Sequence, residues 1–410
     1  MERRDFLMGS AAAGLVALAS GRASAATAPE ATGDASAQAL RELAETIAEL
    51  ENGYVGPERV MQGADERAAG RYSLVHALLH GLQFWFEADP ARPIFHRWHT
   101  LTKKLLGDNP DALYYGTAID PTRSYRIRSN ITGAVYTSYT AESGTKDGQL
   151  STRLASTLND TQFDIAADGS YAIIASPEPP PGASVDNPRN WLRLTADAGS
   201  ITTRHYFEWQ RSAAADPALH VPILIEPLND PGPPSLMDDQ AVAAGIHRVI
   251  NFVRGVTVGM RRGGDIDIPW VSREPNVFRN PTSHDGNLAI GYAARDNVYR
   301  QAPYQLGPNH ALEIRGRFPR CRFANVVLWN HHMQTPPYPG RRVSLNRRQV
   351  HYESDGSFRI VIAHRDPGVP NWIDTAGAPS GTIFWRFQLP QEEPEQPRAQ
   401  VMPVAGVAKG

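Results

Sequence analysis

The loop His364-Arg365-Asp366-Pro367-Gly368-Val369-Pro370-Asn371-Trp372 sets three ionisable side chains in a row ahead of two prolines and a glycine. Proline and glycine direct the backbone path, so such a loop can hold a general base, His364 or Asp366, beside an anion clamp, Arg365. Arg315 and Asn330 add groups for a polar substrate, and Trp372 adds a ring face. The structural alternative is an Arg365–Asp366 ion pair that pins the loop, with His364 as its hydrogen-bond partner.

Four other groupings carry possible chemistry. His331 and His332 are adjacent on a β segment, so they point to opposite faces and cannot ligate one metal from regular strand geometry. His76 and His80 are four apart on a helix, a spacing that can build a zinc site but more often marks a solvated face. Arg315, Arg317, Arg320 and Arg322, followed by Arg341, Arg342, Arg347 and Arg348, suit either anion binding or pairing with surface acids. Trp329, Trp372 and Trp385 suit either a ring-binding platform or a core. Cys321 reads as a structural thiol on a strand. Serine-nucleophile, phosphate-loop, dinucleotide and metal-ligand signatures are absent from the sequence. No metal is expected, and no cofactor is specified.

The elements that must hold these residues follow from periodicity. Leu40, Leu43, Ile47 and Leu50 predict a helix over 35–52. Leu74, Val75, Leu78, Leu79, Leu82, Trp85 and Phe86 predict a second over 71–88 with those residues facing the core, and His76, His80, Gln83 and Glu87 facing solvent. Beyond residue 110 the period falls toward two and turn residues become dense. An internal repeat then emerges. The same 41-residue interval separates Ile127 from Asp168-Gly169-Ser170 and Ile314 from Asp355-Gly356-Ser357. Each copy continues to an Asn-Trp pair, Asn190-Trp191 or Asn371-Trp372, and closes on an Arg-bearing aromatic strand, Thr203 to Phe207 or Phe384 to Phe387. The first copy reads Ala175-Ser176-Pro177-Glu178 where the second has its His364 loop, so Asn-Trp belongs to the scaffold and His364-Arg365-Asp366 is the functional reading.

The expected fold is mainly β with an α-helical N-terminal segment, its body two related antiparallel β-sandwich or jelly-roll-like modules from an internal duplication. Residues 1–25 read as a signal peptide, 26–108 as the helical segment, 109–230 as the first β module, and 231–300 as a linker with a helix near 236–260 and Pro-rich loops. Residues 301–392 read as the second module and 393–410 as a flexible tail.

The run Arg317-Phe318-Pro319-Arg320-Cys321-Arg322-Phe323-Ala324-Asn325-Val326-Val327-Leu328-Trp329-Asn330, with Arg342 to Arg347, Ser357 to Val361, Ala363 to Trp372 and Gly381 to Arg386, resembles the bacterial "domain of unknown function 1214" family. Asn109 to Tyr115 and Val271 to Asn276 are similar to that family too. Pro337 and Ala378 depart from its pattern, where an acid and a histidine are usual. The resemblance implies a repeated β-rich fold and supplies no reaction.

The address is written at the other end. Arg3-Arg4-Asp5-Phe6-Leu7, a short apolar run over 8–20 and Ala23-Ser24-Ala25 resemble a twin-arginine export signal with a mature start at Ala26. The expected partner during export is the twin-arginine translocase, and the expected location is periplasmic or secreted. A net charge of −2 over 410 residues argues against nucleic acid, and the lack of an 18-residue apolar run argues against stable membrane insertion. Two functions remain open. One is a hydrolase or lyase acting on a small polar or carboxylated organic substrate. The other is a non-catalytic glycan- or metabolite-binding protein.

Overall fold

The alternation of apolar and polar residues beyond residue 110 is realised as two sandwiches of the same design. The computed structural model describes residues 34–55, 63–260, 268–279 and 292–407. The twin-arginine segment lies outside the described residues. A short strand β1 (His96–Arg97) precedes the first module, which comprises β2 (Ala112–Ala118), β3 (Tyr125–Asn130), β4 (Tyr136–Ser143), β5 (Arg153–Asn159), β6 (Ser170–Ser176), β7 (Trp191–Arg193), β8 (Ala198–Tyr206) and β9 (Ile223–Pro227). The second comprises β10 (Asn297–Gln305), β11 (His310–Gly316), β12 (Phe323–Trp329), β13 (Ser344–Asn346), β14 (Phe358–Ala363), β15 (Trp372–Asp374), β16 (Ser380–Gln388) and β17 (Arg398–Pro403).

The sheets β2-β8-β4-β5 and β7-β6-β3-β9 of the first module match β10-β16-β12-β13 and β15-β14-β11-β17 of the second, strand for strand, with β1 added at the edge of β2. Register agrees as well: Ile127 faces Ile173 as Ile314 faces Ile360. Asp168 and Asp355 each accept hydrogen bonds from the backbone and hydroxyl of the serine two residues on, which fixes the hairpin turn. Asn190 and Asn371 donate to the carbonyls of Ala172 and Arg359. Trp191 and Trp372 donate through Nε1 to the carbonyls of Ser176 and Ala363, pinning the parallel pairs β6–β7 and β14–β15. The duplication is therefore structural.

Each sandwich encloses its own core. Ile127, Tyr139, Leu158, Ile173, Leu192 and Ile201 fill the first, and Ile314, Val326, Leu345, Ile360, Ile373 and Trp385 fill the second.

Among the described residues three α-helices add a further layer: α1 (Ala35–Tyr54), α2 (Ala64–Gly81) and α3 (Asp239–Val256). Asp238 caps α3 by accepting the amide of Ala241, and its apolar residues Val249, Phe252, Val253 and Val256 are buried with Leu50, Leu74 and Trp85. A π-helical turn, Leu82–Phe86, extends α2, and Arg248 donates to the carbonyls of Trp85 and Phe86 at its end.

Two expectations need correction. The apolar sector read as the core face of the second helix is split: Leu74 and Trp85 are buried, but Val75 and Leu79 are 61% and 44% accessible. Of the residues expected to face solvent, His76 and His80 are buried while Gln83 and Glu87 are exposed. Proximity decides this rather than hydrophobicity. A Cβ on Gly81 would lie 3.1–3.4 Å from Val249, Val253 and Phe252, so the small face of α2 is the one that fits α3. The tail at 393–410 is also not all loose chain. Arg398–Pro403 pairs along β11 and covers an edge whose backbone donors and acceptors would otherwise lack partners, as β9 covers β3.

Gly148 shows how tightly the helical layer meets the first module. Its φ is +81°, and a Cβ there would lie 2.1 Å from the Arg248 carbonyl oxygen. Gly148→Ala is expected to destabilise the protein by more than about 1 kcal/mol, from backbone strain and lost contact together. Equilibrium denaturant unfolding checks this, and an unchanged midpoint would show that α3 docks loosely.

Candidate functional site between the two modules

The residues singled out in the sequence do not gather in one place by contact. His364 pairs Nδ1 with the Thr375 hydroxyl at 2.7 Å and sets Nε2 3.4 Å from the Leu306 carbonyl. Asp366 accepts the amide of Gly368, and both Arg365 and Asp366 are exposed. No hydrogen bond or ion pair joins these three among the described residues. Arg315 pairs with Glu313 at 2.7 Å. Asn330 accepts the amides of His332 and Gln334 and shapes the turn after β12. Trp372 is half-buried, pinning its strand, while Trp329 and Trp385 are buried core residues. The arginine series is largely paired with acids: Arg317 with Asp355, Arg320 with Glu392, Arg322 with Asp160, Arg341 with Asp374 and Arg347 with Glu208. Burial pushes the Cys321 thiol up to about 11. His331 and His332 diverge, to Ser380 and Tyr54.

Polar chemistry concentrates instead where the outward faces of the two first sheets meet. β4, β8 and β12 are buried at every position, although Tyr136–Ser143 is rich in hydroxyls and carries Glu142. A sheet buried on both faces must satisfy its side-chain polar groups internally. Glu142 accepts Ser151 and Thr202 and lies 3.8 Å from Arg204. Burial raises the Glu142 pKa, against the opposing pull of Arg204 and these hydrogen bonds. Tyr114 donates to Tyr206, and Tyr206 packs on Phe323 of the other module.

The Asn109-Pro110-Asp111 loop ties the modules directly. Asp111 accepts the Asn325 and Asn346 amides at 2.9 and 3.0 Å, and Asn109 accepts the second hydrogen of the Asn325 amide. Asp108 accepts the Thr335 amide and hydroxyl, while Lys104 donates to Thr335 and Pro336. Burial raises Asp108, and raises Asp111 to about 6 despite its two amide donors. Lys103, buried and close to Arg97, is lowered to about 8.

An open groove of about 660 Å³ lies beside this junction, lined by Asn159, Trp191, Arg193, Arg295, Asp296 and the loop carrying Asp186, among others. Asp296 receives the Tyr136 hydroxyl and the Asn159 amide on Oδ2, leaving Oδ1 without a hydrogen bond from a described residue. Burial and the Asp296 charge raise the Tyr136 pKa well above the usual phenol range, so Tyr136 stays a donor. Neither Arg193 nor Arg295 has an acid within ion-pair distance among the described residues, and both are exposed. The groove can thus present two guanidiniums and a carboxylate to one small molecule. Sequence reading missed these groups because they come from separate strands and connections, with no spacing in common. The closing strands of the repeat did single out Arg204 and Arg386. Among the described residues, no group of three or more His, Cys, Asp or Glu side chains is arranged to hold a metal, and no helix is long and apolar enough to cross a membrane.

Comparison with known proteins supports the family resemblance over the second module. Residues 292–392 match the model of a family described as a protein of unknown function, DUF1214. The crystal structure of an uncharacterised protein from Burkholderia cenocepacia is similar over 92% of this chain and 100% of its own, at 26% identity and a TM-score of 0.77. A second crystal structure, of a protein from Vibrio parahaemolyticus, covers 87% of this chain and all of its own at 11% identity and a TM-score of 0.47. A search of curated proteins finds no match.

The raised Asp111 pKa has a thermodynamic consequence. Between the ordinary value of 3.8 and about 6, the folded protein holds a proton that the unfolded chain has released, so Asp111 subtracts stability progressively as pH rises through that window. Asp111→Asn removes the titration. Its stability relative to the wild type should therefore improve by roughly 1–3 kcal/mol between pH 4 and pH 7, measured by denaturant unfolding across that range. A flat difference would show that Asp111 titrates normally.

Proposed function

We propose that this chain is an exported enzyme of hydrolase or lyase type that takes a small carboxylated organic compound in the groove between its modules. The observation that carries this reading is one space of about 660 Å³ bordered by Arg193, Arg295 and Asp296. That volume suits a small-molecule ligand. Guanidinium recognises carboxylate through parallel N–H donors, a geometry that ammonium lacks. Asp296 and Asp186 add acceptors, so the preferred compound also carries hydroxyl or ammonium hydrogens, as a hydroxy acid or an amino acid does.

Asp296 is the candidate general base. Tyr136 and Asn159 orient its carboxylate through Oδ2 and leave Oδ1 for a proton on the ligand. Withdrawal of a proton from a hydroxyl, from water or from carbon beside a carboxylate is the step that hydrolytic and eliminative reactions share. Arg193 and Arg295 would hold the carboxylate while that proton moves. The paired Arg3-Arg4 and the small residues Ala23-Ser24-Ala25 support export of the folded chain by the twin-arginine translocase.

The test is calorimetric titration of the mature protein with hydroxy acids, amino acids and sugar acids against their uncharged counterparts. Arg193→Met and Arg295→Met should each weaken binding of the preferred acid by about tenfold or more. Asp296→Asn should leave affinity nearly intact and cut turnover by about a hundredfold or more. Undiminished affinity in both arginine variants would exclude the groove. Full binding without turnover would favour the non-catalytic binding protein. Export is read separately: replacing Arg3 and Arg4 by lysine together should retain the protein in the cytoplasm, checked by cell fractionation.

A further inference from the structure

Arg204 and Arg386 occupy the same position of the repeat, and their surroundings differ in one decisive way. Arg204 lies opposite Tyr114 on β2 and Ser138 on β4, and Arg386 lies opposite Tyr299 on β10 and Asn325 on β12. Four residues along from Ser138, β4 carries Glu142, the acid beside Arg204. Four residues along from Asn325, β12 carries Trp329 instead. The guanidinium of Arg386 therefore lies over aromatic rings, 5.1 Å from the centroid of Trp329 and 4.6 Å from that of Phe384.

The two cations are satisfied very differently. Arg204 donates to the Thr140 hydroxyl and to the carbonyls of Tyr292 and Ala293. Arg386, 5% exposed, donates to the Gly107 carbonyl through Nη2, and its Nη1 is closed to solvent with no hydrogen-bond partner among the described residues. No acid lies within ion-pair distance of Arg386 among the described residues. The nearby carboxylates are engaged elsewhere, Asp111 with Asn325 and Asn346 and Asp108 with Thr335.

Other donors close by are also unmet. Among the described residues Asn109 Nδ2 has no partner, although its Oδ1 is held by Asn325, the residue opposite Arg386. His99, kept neutral by burial, offers one N–H donor and one acceptor nitrogen. Both are closed to solvent without a partner among the described residues, the Leu105 backbone approaching outside hydrogen-bond geometry. His99 feels the Arg386 charge and packs edge-on against Tyr114. Asp108 and Asp111 feel the Arg386 charge without touching it, and Oδ1 of Asn325, the residue opposite, also lacks a partner among the described residues. A buried cation with no carboxylate in contact, beside unmet donors, describes an anion site.

We propose that Arg386, Asn109 and His99 hold one small monovalent anion, of halide or formate size, in the interface between the modules. The anion completes for Arg386 the charge pair that Glu142 completes for Arg204. This site is separate from the groove and does not depend on the groove reading. A water molecule in its place would satisfy Nη1 without any dependence on the anion supplied.

The experiment uses the mature wild-type protein in two measurements. Thermal unfolding is followed in sodium chloride, bromide, formate and gluconate at one ionic strength, gluconate being too large for the site. Chloride, bromide and formate should raise the midpoint saturably by about 3 °C or more over gluconate, and Arg386→Met should abolish the difference. His99→Phe, which keeps the guanidinium, should shift the saturation to higher anion concentration. Crystals grown in bromide should show an anomalous peak within hydrogen-bond reach of Nη1 of Arg386. Equal midpoints in all four salts, or bromide peaks at other positions alone, would overturn the proposal. The bromide peak does not require a variant to fold.

Discussion

The structure depends on a sheet in each module being buried on both of its faces. Each sandwich already encloses an apolar core, yet β4, β8 and β12 remain buried along their whole length because the outward faces of the first sheets close on one another. An outward face normally meets water and can carry hydroxyls, amides and charges at little cost. Once covered, each such group needs an internal partner, and charged groups need compensation. The Arg204–Glu142 contact, the Asp111–Asn325–Asn346 bridge and the Tyr114–Tyr206 hydrogen bond all answer that single demand.

The same demand explains the helical layer. α2 turns His76 and His80 inward because Ala77 and Gly81 lie on that side and let α3 approach. His76 then accepts the Lys104 amide at 3.0 Å, joining the helix to the segment that carries Asp108 and Asp111. Apolar residues Val75 and Leu79 stay outside as a result. A periodicity count cannot detect this, since it ranks residues by affinity for oil and not by the space a neighbouring helix leaves.

Much of the fold was legible. The 41-residue interval, the Asp-Gly-Ser turns and the Asn-Trp pairs marked positions where a turn or a strand pair needs one specific hydrogen bond, and such needs recur with the repeat. The candidate site was much less legible. His364, Arg365 and Asp366 stood out by being consecutive, yet the partners they find are Thr375, the Leu306 carbonyl and the Gly368 amide. Asp296, Tyr136, Asn159 and Arg193 stood out by nothing, because their proximity is produced by the docking of strands far apart in the chain.

The class of fold, its duplication and the turns that close each copy are encoded locally along the chain, since these rest on backbone preferences and on two-residue alternation. The sequence also carried the two arginines of the closing strands, equivalent in position and different in company. Which faces became interior, and with that which polar residues had to find partners, was settled by the packing of one module against the other. The reason is physical: the environment of a side chain depends on what packs against its face, and alternation along a strand says nothing about the neighbour across it.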